Sequence, residues 1–210
     1  AQQRWQASPH VAGSLLWRSY TYWLTLPVAL GWATARRVLL VEPEDVLVRV
    51  HDTPDAPLLS IGLARLRMAV STDDPLGGHH SPTLDTGFDP GDLLVFDSQQ
   101  QLLEQLRQSL RTHHLDPLLA ELHHRLRLGE RTLLGSLASA VAYALVRGLD
   151  APFGDLDHEL RTLLTTLDVA DLVSVVTGPD GPSVQRHTCC LAFTLPNPKI
   201  CSSCCLRNPR

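Results

Sequence analysis

The chain has 210 residues, of which 44% are hydrophobic and 19% charged, and its formal net charge is −4. That length carries a core without crosslinks and fits one domain, or one domain with a small appendage. The acidic balance and the scattered arginines exclude the concentrated basic face that nucleic-acid binding requires.

Ser8-Pro9 sets a side-chain cap before a proline at the first helical position, and predicts a helix running to about Arg37. Pro27 should kink that helix, because it removes a backbone donor and crowds the preceding turn. The apolar stretch Val11 to Ala33 is long enough to span a bilayer, but Arg18 and several hydroxyl residues interrupt it. Charge at membrane depth is expensive, so the expectation is a buried helix with at most peripheral membrane contact. Trp17, Tyr20, Trp23 and Leu24 recur at helical spacing and read as core. Arg36-Arg37 forms either part of a substrate face or a cationic helix end that suits the helix dipole.

VLLVEP (38–43) and DVLVRVHD (45–52) are strand-like, Asp52 to Pro57 reads as a turn, and PLLSIGLARLRMAV (57–70) fits strand or helix. Together they predict a small antiparallel sheet. Ser71 to Asp92 is rich in Gly, Pro, Asp and Ser and reads as a loop, either a lid or an insertion.

The second half is helical. Asp97 or Ser98 caps a helix reaching His114, and Asp116-Pro117 opens another. Glu130 to Arg147 is a third helix that ends at Gly148, and its small residues allow close packing. A fourth runs from Gly154 to Leu167. The pairs His79-His80, His113-His114 and His123-His124 read as surface residues, since adjacent helical positions diverge by ~100° and rarely share one ion. GPDGP (178–182) is a turn. The fold class is α+β: a predominantly helical body with a small antiparallel sheet over 1–180, then a C-terminal cysteine-rich tail over 181–210.

All five cysteines lie between Cys189 and Cys205. The pattern is Cys189-Cys190, ten residues, Cys201, two residues, Cys204, with Cys205 extra. Cys201 and Cys204 have the spacing of a zinc knuckle, but vicinal cysteines diverge and grip a single ion poorly. Disulfides suit neither the odd count nor a sequence start, AQQRWQASPH, with no visible secretory leader. A reducing, cytoplasmic compartment is the expectation. A [2Fe–2S] cluster takes four thiolates that diverge more than a single tetrahedral ion allows, and Pro196 and Pro198 pre-shape the intervening loop.

This Cys-Cys-x10-Cys-x2-Cys pattern near the C-terminus resembles the cluster motif of the FhuF-like ferric-siderophore reductases. The N-terminal ASPHVAGSLLWR helix, the proline-containing apolar stretch, the helical second half and Arg186 just before the paired cysteines extend the resemblance. It implies a [2Fe–2S] cluster held by Cys189, Cys190, Cys201 and Cys204. Cys205 departs from the pattern and competes with Cys204 for one position; the spacing favours Cys204. The resemblance also implies a substrate, an iron(III)–siderophore complex of hydroxamate type. Hard oxygen donors hold Fe(III) far better than Fe(II), so one electron makes a locked complex labile. An all-thiolate [2Fe–2S] centre can sit near about −400 mV. No Gly-x-Gly-x-x-Gly fingerprint is present, so a ferredoxin or flavoprotein is the expected electron donor. Arg186 and His187 either donate to cluster sulfur, touch the siderophore, or form a solvated basic pair. The alternative is a non-enzymatic metal module: a zinc-stabilised interaction domain or an iron–sulfur iron sensor.

Overall fold

The structure is a computed structural model that describes residues 1–51, 56–77, 89–148, 155–179, 181–198 and 200–207. A short helix α1 (Gln2–Trp5) leads into the long helix α2 (Pro9–Ala35). Ser8 Oγ accepts the Val11 N–H at 3.4 Å, and α2 continues through Pro27 without interruption. Its buried hydroxyls cost little, because Thr21 and Thr25 donate back to the carbonyls of Trp17 and Thr21 at 2.9 and 2.7 Å.

The fold is α+β. Strand β1 (Val38–Leu40) pairs antiparallel with β4 (Arg67–Ser71), with Val38 opposite Ala69. Strand β5 (Leu93–Phe96) pairs with β4 in parallel, Met68 opposite Leu93, so this sheet is mixed. A parallel partner needs a long return connection, and the stretch between Ser71 and Leu93 provides it. The ambiguous 57–70 segment divides into β3 (Leu59–Leu63) and β4, with a bend between them. Strand β3 pairs with β2 (Val46–Val50) in an antiparallel ribbon. A second ribbon, β6 (Val173–Gly178) with β7 (Gly181–Arg186), leads to the cysteines.

Two helices were expected between Ser98 and Leu126, and the structure joins them. Helix α3 (Gln99–Leu106), π-helical turns (Arg107–Leu115) and α4 (Asp116–Leu126) follow without a break, and the junction residues stay right-handed helical. Pro117 lacks the N–H of a regular helix and crowds the turn before it, and the wider π turns relieve this. They also bring Ser109 and His114 to one point on the chain, Val41. Ser109 Oγ accepts the Val41 N–H at 2.8 Å; His114 Nδ1 donates to the Val41 carbonyl, and its Nε2 faces the Tyr20 hydroxyl. His114 is therefore 2% exposed, a buried tie between helix and strand, where a surface residue was expected.

Helix α5 (Glu130–Gly148) packs along α2, and α6 (Leu156–Thr166) closes the core around Trp32, Leu137, Val141 and Leu163. Both deep indoles are satisfied: Trp17 Nε1 donates to the Leu133 carbonyl at 2.9 Å and Trp32 Nε1 to Glu159 at 3.0 Å. The sequence boundary at 180 falls inside the β6–β7 hairpin, whose Val184 belongs to the main core. Among the described residues no helix is long and apolar enough to cross a membrane. The His79-His80 pair and the rest of 78–88 in the 71–92 loop, positions 52–55 of the expected turn, Gly154 and Asp180 lie outside the described residues.

Candidate functional site

Strand β7 ends at Arg186, and its end is stitched to the last cysteine turn. The Arg186 N–H donates to the Ser203 carbonyl at 3.0 Å, and the Cys204 N–H closes the turn onto the Cys201 carbonyl at 3.1 Å. The paired cysteines are seated on the helices. Thr188 lies directly on α5 at Gly135, so close that a Cβ there would overlap its side chain. Ser14 Oγ of α2 donates to the Cys190 carbonyl at 3.2 Å, and Cys190, Ala192 and Leu195 pack on Val11 and Leu15.

The two thiols of the vicinal pair interact electrostatically but have different further neighbours. Cys189 lies beside Cys204 and Cys205, and the Cys205 thiol interacts with both. Cys189 Sγ also accepts the Leu191 N–H at 3.3 Å, and Leu191 itself takes a left-handed backbone (φ 64°), a conformation disfavoured for a branched side chain. Cys190 and Cys201 face two guanidinium groups. Arg18 Nη1 is 3.8 Å from Cys190 Sγ, and Arg186 interacts electrostatically with both sulfurs. Cys201 Sγ is 3.6 Å from Ser203 Oγ, which in turn accepts from the Tyr143 hydroxyl. All five thiols are free, and among the described residues no three His, Cys, Asp or Glu side chains are grouped so as to hold a single metal ion.

Arg186 is 1% exposed. Its Nε and Nη2 reach the Thr188 carbonyl and Ser136 Oγ, both at 3.4 Å, but its buried Nη1 has no partner. The ion pairs among the described residues include neither Arg186 nor Arg18. Burial alone would raise the Cys201 pKa, but Ser203, Arg18 and Arg186 outweigh it and hold the thiol below its ordinary value. Burial pushes Cys189 up, and it pushes Cys205 up to about 11, reinforced by the neighbouring Cys189 and Cys204. Cys201 is thus eased toward thiolate, the form that ligates, while Cys205 is held as a thiol.

His187 turns toward the β6 side: Nδ1 donates to the Asp171 carbonyl at 2.7 Å, and Nε2 is 3.1 Å from the Ser174 hydroxyl. Arg36 and Arg37 are committed elsewhere. Arg36 pairs with Glu159 and stacks on Trp32 at 5.0 Å, and Arg37 pairs with Asp74 at 2.8 Å.

Beside Cys201 opens a cleft of about 900 Å³. Helix α2 lines it with Arg18, Tyr22 and Trp23, and α5 with Ser139, Tyr143 and Arg147. The lining positions of α2 (15, 18, 19, 22 and 23) and of α5 (136, 139, 140, 143 and 147) recur at three- and four-residue intervals and form one stripe on each helix. The small residues of α5 do more than permit close packing: Ser136, Ser139 and Ala140 leave the floor of the cleft open. Trp23, read from the sequence as core, is 45% exposed on this rim. Arg18 is the residue that sequence reasoning passed over. Its signal was present, a lone cation breaking an apolar helix, but that signal was spent on the membrane question.

No protein-family model matches the sequence, and no curated protein matches it.

Proposed function

We propose that Cys189, Cys190, Cys201 and Cys204 hold a [2Fe–2S] cluster and that the protein is a ferric-siderophore reductase acting in the cytoplasm, refilled by a ferredoxin or flavoprotein. One observation carries this: a fully buried guanidinium, Arg186, with an unpartnered Nη1, stands against two of the four thiols. A buried cation without a counter-charge is costly. A thiolate-ligated cluster, which is anionic, would supply that counter-charge. The donor set fits on chemistry as well. It combines four thiols, an N–H aimed at Cys189, a hydroxyl at Cys201 and two guanidiniums, the kinds of outer contact that tune cluster sulfur.

The bound cluster would supply electrons singly. The chain's own residues do the rest. Arg186 and Arg18 stabilise the more negative, reduced form and so raise the potential. Val11, Leu15 and Ala192 close apolar surface over Cys190 and keep water from it. The cleft holds an iron(III) hydroxamate against the Cys201 wall, where Fe(III) passes to the weakly held Fe(II) state without any bond of the chelator being broken.

The test is to reduce the protein anaerobically, add ferric siderophores, and follow reoxidation with a ferrous trap present. Bleached colour that returns together with trapped Fe(II) is the expected result. A coloured protein that no ferric hydroxamate reoxidises would point to an iron sensor, and a colourless zinc protein to an interaction module.

A further inference from the structure

We propose that the cleft beside Cys201 selects ferric chelates of net negative charge, with carboxylates outside the iron coordination sphere, over neutral and cationic ones. This inference rests on the siderophore reading above and names the substrate class within it.

Arg18 and Arg147 are the only charged side chains lining the cleft among the described residues, and no carboxylate lines it. The chain as a whole carries −4, so side chains that bring two cations and no carboxylate to the cleft run against the composition; Arg18 also faces Cys190, which leaves Arg147 as the cation turned to a ligand alone. Neither arginine is in an ion pair with a described residue, although ten such pairs form elsewhere in the fold. Arg147 lies over the Tyr143 ring at 4.7 Å, which orients the guanidinium plane while leaving its N–H edge available. Arg186 adds a third cation just behind the floor, through its contact with Ser136.

A hydroxamate's oxygens are spent on iron, so these arginines read what lies outside the coordination sphere. A free carboxylate offers the bidentate match that guanidinium prefers. Trp5, Tyr22 and Trp23 supply flat apolar surface for the chelator's carbon skeleton, with Tyr22 and Trp23 edge-to-face at 5.1 Å. Cationic complexes would meet like charge in a partly desolvated groove, where screening by salt is weaker than at open surface.

Gallium(III) complexes test this without electron transfer. Two probes are titrated against the full chain: an anionic citrate-centred dihydroxamate with two further pendant carboxylates that do not bind the metal, and a cationic linear trihydroxamate with a free terminal amine. Binding is read by tryptophan fluorescence, since Trp5 and Trp23 line the cleft. The anionic probe should bind about tenfold tighter or better at low salt, and the gap should shrink as salt is added. Arg147→Gln should weaken the anionic probe by about tenfold and barely affect the cationic one; Arg147→Lys should fall between. Arg147 is exposed, so these variants should fold normally, which circular dichroism checks. Equal affinity for both probes, preference for the cation, no effect of Arg147→Gln, or no binding of either probe would overturn the inference. If the anionic probe is preferred but its ferric form is never reduced, the inference stands and the reductase reading falls. Reduction of both ferric forms without any preference does the reverse.

Discussion

Two pairs of arginines serve this molecule in opposite ways. At the C-terminal end of α2, Arg36 and Arg37 each meet a carboxylate, Glu159 and Asp74, and Arg36 also stacks on Trp32. Far along the chain from them, Arg186 is buried deeper than either, and among the described residues it and Arg18 meet sulfur, hydroxyl and carbonyl but no carboxylate. The first pair is balanced from within and holds α2 to α6 and to the turn after β4. The second is left unbalanced, against the general rule that buried charge is paired. Residue type alone does not separate these roles; the presence or absence of an internal counter-charge does.

The contrast is broken most severely at the thiols themselves. Cys190→Ser or Cys201→Ser should remove nearly all bound iron, measured by metal analysis and visible absorbance, because each faces the unbalanced arginines and is proposed to supply one ligand. Cys205→Ser should leave iron content close to wild type, since the spacing gives the fourth ligand position to Cys204. Loss of iron in Cys205→Ser would move the fourth ligand from Cys204 to Cys205.

The next largest effect compares the two pairs directly. Glu159→Ala strips the partner from Arg36 and from the Trp32 indole, and should cost about 3 kcal/mol in urea unfolding. Arg186→Met removes a cation and leaves no carboxylate among the described residues stranded. In metal-free protein it should be close to neutral, within about 1 kcal/mol, while the metal-loaded protein should shift to lower potential or lose its metal. A metal-free Arg186→Met that unfolds as readily as Glu159→Ala would erase the distinction.

Gly135→Ala probes the seat of the site. The added Cβ overlaps Thr188, so the paired cysteines must move or the helix must, at about 1–3 kcal/mol. Thermal melts should show that loss, and metal occupancy should fall with it, because Thr188 directly precedes Cys189.

The smallest expected effect is a pH dependence on the structural side. Burial outweighs the Val41 hydrogen bond and the Glu42 and Glu44 charges, and holds the His114 pKa below its ordinary value. The folded protein therefore binds fewer protons than the unfolded chain as pH falls below ~6.5. Stability from neutral His114 is complete above that pH and is lost as the pH drops toward the depressed folded value. His114→Gln should flatten this part of the stability profile, and an unchanged profile would place the titration elsewhere.

Local chemistry made much of this architecture legible in advance. Ser8-Pro9, Ser98 and the small-residue run of α5 each act within a few residues of themselves, and each appears where the sequence placed it. Features that depend on distant partners were not visible. The π turns serve Val41, more than sixty residues earlier, so His114 looked like a surface residue until its partners were known. At the candidate site the cysteine spacing was plain, but the cleft needs two helix stripes and the tail brought together. Arg18 and Arg147 are far apart in sequence and ordinary in isolation; only the packing of α2 against α5 puts both beside Cys201.

If the unbalanced arginines face an anionic iron–sulfur group, the C-terminal thiols must carry both iron and sulfide. Iron and acid-labile sulfide analysis of anaerobically isolated protein tests it most directly. Equal amounts of iron and sulfide in a red-brown sample, both lost in Cys201→Ser, are the predicted result. A colourless sample with zinc, or with no metal, and no sulfide would contradict it.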